Sequence, residues 1–277
     1  MNFDPFDPAH AADLPPDIAE ALAWSQSERG RFGSPLVYAA EISSTSDVAA
    51  RLAEAGAGEG TTVVADAQTA GRGRHGRTWC SPAGAGLYVS TIVRPDLRTA
   101  PGPGSSLLTL MAGVALADAI RDATGLAVEI KWPNDLIVAR RKLGGILAEG
   151  AAQGTALEYI VLGFGINLRA AAYPPDVAAR ATSIEAELGR PVDRGALLAR
   201  SLVQLSRVRA AIAENRTSAV IDRWRQLAPS AEGSSVEWQT GAGLRRGLTA
   251  GVDDEGALLI DVAGTIERVT AGEIVWL

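Results

Sequence analysis

The chain has 277 residues, 47% of them hydrophobic, with 26 basic and 32 acidic side chains and a formal net charge of -6. It is long and apolar enough for one large core and a smaller satellite domain, and its acidity argues against a general affinity for nucleic acid. A lone cysteine, Cys80, excludes an intrachain disulfide framework and points to a reducing cytoplasm; the longest apolar stretch, Leu107 to Ile120, is short of the roughly 20 residues that a bilayer demands.

Residues 1–35 read as a short acidic N-terminal extension, in which Asp4, Asp7, Asp13, Asp17, Glu20 and Glu28 face only Arg29 and Arg31. One helical stretch, Pro16 to Glu28, fits a packed cap or a loose tail. The opening Met1-Asn2-Phe3-Asp4-Pro5 lacks the basic and apolar regions of a signal peptide, and a DNA-binding winged helix needs more chain and a basic face. Leu36 to Ile42 is a strand; the Ser43-Ser44-Thr45 run then caps a helix that reaches about Ala55. Thr61 to Ala65, rich in β-branched side chains, is the next strand. After the segment that follows it, Pro82, Gly84 and Gly86 forbid a long helix. Ser105 to Thr124 repeats apolar residues at helical spacing through Leu107, Leu108, Met111, Val114, Ala115 and Ile120, which makes a core-facing helix.

Lys131 to Val138 and Arg140 to Glu149 read as two strands of an antiparallel hairpin, turned around Ala139 to Arg141, with Pro133 at a strand edge or bulge. Leu157 to Leu168 is a further strand, and Ala196 to Glu214 and Ser218 to Leu227 are helices. Beyond Pro229 the pattern changes to short β runs, Val236 to Trp238, Leu244 to Val252, Ala257 to Val262, Thr265 to Val269 and Ile274 to Leu277, with a turn at Asp253 to Gly256. That is a small all-β domain. The expected division is therefore 1–35, 36–229 and 230–277.

Two segments carry chemistry. Gln68-Thr69-Ala70-Gly71-Arg72-Gly73-Arg74-His75-Gly76-Arg77 alternates glycines with arginines directly after a strand, so backbone amides and guanidinium groups can surround a phosphate or carboxylate. It lacks the Gly-Lys-Ser/Thr ending of a Walker loop. It formally fits G-x-G-x-x-G, but no helix follows, so it is not a dinucleotide fingerprint. In the hairpin, Lys131, Asp135 and Lys142 flank one groove, Asn134 turns toward it, and Gly144 and Gly145 leave room for a ligand against the backbone. Arg140 and Arg141 read as exposed turn charges, His75 as a solvated loop residue, Trp132 as a hydrophobic wall and Cys80 as a small packing residue.

Together with Ser44-Thr45-Ser46 and Gly163-Phe164-Gly165-Ile166-Asn167, the stretches Gln68 to Trp79 and Lys131 to Glu149 resemble the biotin protein ligase family, in the form without an N-terminal winged helix. The resemblance covers residues 36–277. It implies an α+β fold: a mixed sheet with helices packed on it, followed by a small SH3-like barrel. It further implies ATP-dependent formation of biotinoyl-5'-AMP and transfer of biotin to a lysine of a biotin carboxyl carrier domain, with ATP and Mg2+ as co-substrate and metal. Lys142, Arg74 and Lys131 are then catalytic. Ser44, Thr45, Ser46, Gln68, Arg72, Gly73, Arg74, Lys142 and Gly145 hold biotin, Ser46 standing where the family commonly has asparagine. Arg74, Arg77, Trp79, Lys131, Asn134, Asp135 and Asn167 meet the nucleotide, with a structural hydrogen bond to the loop as the alternative for Asp135; the metal ligands are unassigned. The expected partners are the carrier, biotin and ATP, without nucleic acid or membrane, in a cytoplasmic monomer or homodimer. A lipoate or octanoate ligase and a biotin-responsive DNA repressor are the alternatives; the polar partners Ser44, Thr45 and Gln68 argue against the first, the acidic N-terminus against the second.

Overall fold

The computed structural model describes residues 14–94, 105–153, 156–171, 175–241 and 243–277. Seven strands, β1 (Leu36–Ile42), β2 (Thr62–Gln68), β3 (Gly86–Val93), β4 (Glu129–Lys131), β5 (Asp135–Val138), β6 (Arg141–Gln153) and β7 (Ala156–Asn167), form a mixed sheet in the order β1-β2-β3-β7-β6-β5-β4. Only β1 and β2 run parallel; the other pairings are antiparallel. The two-residue side-chain period sorts each strand between two faces. Val63, Ala65, Ile92 and Val161 pack with Val48, Ala49 and Leu52 of α2 (Thr45–Glu54), whereas Val64, Leu87, Val89, Leu162 and Phe164 belong to the larger core on the other face. That core contains α3 (Ser105–Thr124), α6 (Arg194–Ala213) and α7 (Thr217–Leu227). Leu110, Met111, Leu116 and Ile120 of α3 are each 2% exposed or less, so this helix is enclosed on most of its circumference rather than along one stripe.

The N-terminal helix α1 (Pro16–Arg29) is a packed cap. It buries Ile18, Ala21, Leu22 and Ser25, spaced by three and four, against α6 and ends at Gly30, whose φ of 55° suits glycine. Gly195 of α6 fits there because a Cβ would lie 2.1 Å from the Asp17 carbonyl oxygen. Residues 1–13 of the acidic segment lie outside the described residues.

Three expectations change. The segment Lys131 to Val138 is two strands, not one: Trp132 to Asn134 turn the chain between β4 and β5, so Pro133 occupies a turn where no ladder donor is needed. The irregularity in pairing falls instead between Leu136 and Ile137. β3 went unread, although Gly86 to Val93 is fully buried, because a run buried on both faces loses alternation. The short helices α4 (Pro175–Ala178) and α5 (Ile184–Leu188) were unread too, having too few residues for a periodic signal.

A second sheet of five antiparallel strands, β8 (Glu232–Thr240), β9 (Gly243–Val252), β10 (Leu258–Val262), β11 (Thr265–Val269) and β12 (Ile274–Trp276), follows in the order β11-β10-β9-β8-β12. Its inner side chains Val236, Trp238, Val252, Leu258, Ile260 and Ile274 join the main core. The β9–β10 turn docks on α3, where a Cβ at Gly256 would meet Leu110 at 2.9 Å, and the Gly256 carbonyl accepts a hydrogen bond of 3.1 Å from the buried Trp132 indole. This tie carries β12 and the residues before it to the mouth of a cavity in the first sheet.

Candidate active site

A cavity of about 460 Å³ opens between the β2–β3 loop, the β4–β5 turn, the face of β6 and β7, and Gly272 to Ile274. The volume lies within the usual range of small-molecule sites. One end is neutral. Thr45 begins α2, Ser46 follows, Gln68 ends β2, and Ser90 on β3 faces α2 because it shares the phase of Ile92. Gln68 Oε1 accepts from the Thr45 amide at 2.8 Å and from its hydroxyl at 3.1 Å, while Gln68 Nε2 donates to Ser81 Oγ at 2.8 Å. Ser90 Oγ lies 2.8 Å from Thr45 Oγ1 and 3.1 Å from Ser46 Oγ. Each hydroxyl has one proton, and Thr45 spends its own on Gln68. Ser90 must therefore donate to Thr45 and Ser46 to Ser90, a directed chain that leaves hydroxyl lone pairs facing the cavity.

The Ser44 hydroxyl makes no capping bond, which corrects the expectation for this helix start: the Thr45 amide is taken by Gln68 instead. Ser44 is 1% exposed, its Oγ has no partner, and it lies behind the cavity wall rather than on it.

The other end is charged. Lys142 Nζ lies 2.6 Å from Asp135 Oδ1 and 5.4 Å from the centre of the Trp79 ring. The Asp135 contact is an ion pair without hydrogen-bond geometry at Oδ1, so this oxygen has no hydrogen bond to the loop. Lys131 sits 5.7 Å from the Trp276 ring centre. Burial lowers the pKa of its ammonium, Asp135 opposes this, and Lys142 and Arg140 reinforce it. Arg74, whose pKa burial lowers against the pull of Asp135, donates to Asn134 Oδ1 at 3.3 Å. Asn134 Nδ2 in turn donates to the Ile146 carbonyl at 2.8 Å, so the β4–β5 turn positions the loop arginine.

The glycine–arginine loop is a closed turn. Gly73 N donates to Arg77 O at 2.7 Å, Trp79 N to Gly71 O at 2.9 Å, and a Cβ at Gly71 would lie 2.5 Å from the Trp79 carbonyl oxygen. Arg72 is shared between Asp47 at 3.0 Å and Glu149 at 2.8 Å, and Arg77 reaches across to Glu273 of the second sheet at 2.5 Å. His75 is exposed.

Thus Thr45, Ser46, Gln68, Arg72, Gly73, Arg74, Arg77, Trp79, Lys131, Asn134, Asp135, Lys142, Gly145 and Asn167 all reach one cavity from separate elements. For two of them the structure adds to or changes the expectation. Asn167 is buried and gives its amide to the Thr182 carbonyl at 2.9 Å and the Lys142 carbonyl at 3.5 Å, so besides lining the cavity it braces the backbone under Lys142. Gly145 does not leave open space: its missing Cβ is covered by Trp79 at 3.2 Å and Lys142 at 3.3 Å, and Gly144 faces the Gly165 carbonyl. Ser81, Ser90 and Glu273 were missed. Reading β3 as a strand would have exposed Ser90; no local signal marks Glu273, nearly 200 residues from Arg77.

Comparison with known proteins agrees with this geometry. Residues 38–167 match the model of the "Biotin/lipoate A/B protein ligase family". The chain is similar to the "Bifunctional ligase/repressor BirA" of Bacillus spizizenii, 34% identical over 88% of this chain and 74% of that protein. It is also similar to the "Biotin--[acetyl-CoA-carboxylase] ligase" of Mycobacterium tuberculosis, 33% identical over 87% of this chain and 88% of the other. Its fold follows that of the biotin protein ligase from Aquifex aeolicus in complex with biotin and ATP, with a TM-score of 0.75 and 28% identity over 88% of this chain and 99% of the other. By sequence and by fold, the chain belongs to the biotin protein ligase family.

Proposed function

We propose that this cavity joins biotin to ATP and passes the activated acyl group to a protein lysine. The enzyme is an ATP-dependent biotin protein ligase of the biotin–[acetyl-CoA-carboxylase] ligase type. In the first step a carboxylate oxygen of biotin bonds to the α-phosphorus, the bond to the β-phosphate bridge breaks, and pyrophosphate leaves with the electron pair. In the second, a neutral lysine amine of a biotin carboxyl carrier domain attacks the acyl carbon, the acyl carbon–oxygen bond to the phosphate breaks, AMP departs with the electron pair and the nitrogen gives up one proton to solvent.

The observation that carries the reading is the pairing of a neutral hydroxyl–amide wall with the Lys142–Asp135 ion pair in a single cavity. The ureido ring, a neutral group rich in N–H donors, suits the lone pairs of Thr45 and Ser46 and the fixed amide of Gln68, with Ser44 supporting them from behind. The lysines and Arg74 suit an anhydride between a carboxylate and a phosphate. Lys142 neutralises charge that develops at the α-phosphate and Arg74 covers the adenylate, both as preorganised electrostatic stabilisers. Arg72, Gly73 and Arg77 close the loop over it; Trp79, held by Gly145 and Gly165, forms the wall between acid and nucleotide. Lys131, Asn134 and Asn167 orient that end. Magnesium would arrive with the triphosphate and would shield its charge, and Asp135 would help to position the magnesium-bound phosphates through Lys142.

We place α1 with the catalytic domain, which then spans 14–229, and 230–277 as the second domain. No described helix is long and apolar enough to cross a membrane; together with the lone Cys80 this supports a cytoplasmic setting. The test is incubation with biotin, ATP, magnesium and a carboxyl carrier domain, followed by mass measurement of the carrier and by biotin-dependent ATP–pyrophosphate exchange. Exchange with lipoate but not biotin would sink the reading.

A further inference from the structure

The cations around the cavity differ in how they are compensated. Lys142 faces Asp135, Arg72 is shared by two carboxylates, and Arg77 binds Glu273. Arg140 lines the same cavity and, among the described residues, makes no ion pair or hydrogen bond. It stands in the two-residue turn between β5 and β6, where Ala139 has φ 48° and Arg140 φ 64°. Both values are left-handed, the backbone of a type I′ hairpin turn in which asparagine and glycine are the usual occupants. The structure thus holds an arginine in a constrained turn at the cavity, exposed to solvent and without a carboxylate partner among the described residues.

We infer that Arg140 binds the β- and γ-phosphates of ATP and the departing pyrophosphate. This inference rests on the adenylation reading above and extends it. The neutral end of the cavity offers only hydroxyls and an amide, so the nucleotide belongs at the charged end. Lys142, beside Asp135 and Trp79, stands where carboxylate and α-phosphate meet; the remaining phosphates must extend away from the biotin end, toward solvent. Arg140 and Arg180 both line the cavity, Arg140 from the exposed tip of the β5–β6 hairpin. Its charge is near enough to Lys131 to oppose protonation there, after the larger effect of burial, so an anion with several charges relieves a cluster of like charges at once. When the α-phosphorus gains the biotin oxygen and loses its bridge to the β-phosphate, the bridging oxygen leaves with the electron pair and adds one negative charge to the departing pyrophosphate. A guanidinium donates to such phosphate oxygens in a bidentate fork.

The experiment compares wild type, Arg140→Ala and Arg140→Lys, each checked for an unchanged melting temperature. Initial rates of ATP–pyrophosphate exchange give KM for ATP and for biotin, pyrophosphate inhibition gives a product constant, and a non-hydrolysable biotinol adenylate reports binding without β- and γ-phosphates. Arg140→Ala is expected to raise KM for ATP by about fivefold or more and to weaken pyrophosphate to a similar degree, the scale of one partly exposed ion pair. KM for biotin and the adenylate analogue stay within about twofold, and Arg140→Lys recovers part of the loss. An unchanged KM for ATP overturns the inference. So does an equal loss for the adenylate analogue, which would assign Arg140 to the adenosine or α-phosphate, or a rise confined to KM for the carrier domain, which would make it a docking residue. Absence of any biotin-dependent exchange in wild type would instead overturn the adenylation reading itself.

Discussion

The two ends of the cavity are built by opposite rules. At the neutral end, Thr45, Ser46, Gln68 and Ser90 satisfy one another through short bonds and are largely withdrawn from water. At the charged end, Lys142 holds a carboxylate of the neighbouring strand, and Arg72 and Arg77 hold carboxylates of remote elements, while all three remain between a third and two thirds exposed. A mutual network of neutral groups can be preformed at little cost, since every proton has an acceptor. Half-exposed ion pairs contribute little to stability, about 0–1 kcal/mol each, and can exchange a carboxylate for a phosphate with small loss. One end is thus a fixed mould and the other a set of cations on temporary partners.

The strongest way to break this contrast is Lys142→Ala. Exchange should fall by about two to three orders of magnitude, the effect of removing one preorganised charge donor worth roughly 2.7–4 kcal/mol in the transition state, while the melting temperature hardly moves because the lost ion pair is half-exposed. Near wild-type exchange would end the electrostatic role given to this lysine.

Next comes Gly165→Ala, aimed at the wall between the ends. The new Cβ would sit 2.4 Å from Trp79 Nε1, so the ring must move. Urea denaturation should report a loss of about 1–3 kcal/mol, as for other overpacked sites, with weaker binding of both substrates. Unchanged stability and affinity would show that Trp79 is not fixed there.

Ser90→Ala tests the mould. It leaves Thr45 without its donor and Ser46 without its acceptor, a loss of about 0.5–1.5 kcal/mol, and should raise KM for biotin while sparing KM for ATP. A variant affecting both constants alike would erase the distinction between the ends.

The smallest effect concerns the Arg77–Glu273 contact. Hydrogen bonding from Arg77, weakly opposed by burial, holds the Glu273 carboxyl below its ordinary value of 4.5. Because the folded pKa is depressed, the contact is fully present above the unfolded pKa and is lost as pH falls through the folded one. Both side chains are more than half exposed, so solvent screening keeps the contribution within about 0–1 kcal/mol. Amide hydrogen exchange of residues 72–78, compared between wild type and Glu273→Gln at matched pH, should differ near about pH 6, above the unfolded carboxylate range, and converge at an acidic pH below the depressed folded pKa of Glu273. Equal protection at both values would remove the contact from the closed loop.

Much of this was readable from residues alone. β1, α3 and β11 have the bounds expected of them, because their apolar spacing or β-branched runs are local signals. The glycine–arginine loop and the Lys131 and Lys142 segments were recognisable as parts of a site for the same reason: unusual residue types concentrated in short windows. Ser90, Glu273 and the strut role of Asn167 were not, since each depends on a partner more than ten residues away.

The sequence by itself therefore determined most of the longer strands and helices, that a compact loop would gather arginines, and to which family those motifs belong, because such properties are written in neighbouring residues. Only the tertiary structure decided that Gln68 rather than Ser44 serves the start of α2, that Asp135 pairs with Lys142, that α1 joins the core, and that Arg140 lines the cavity. Those outcomes turn on which charged and hydrogen-bonding groups meet when distant strands come into register, and burial then penalises every group that fails to find a partner.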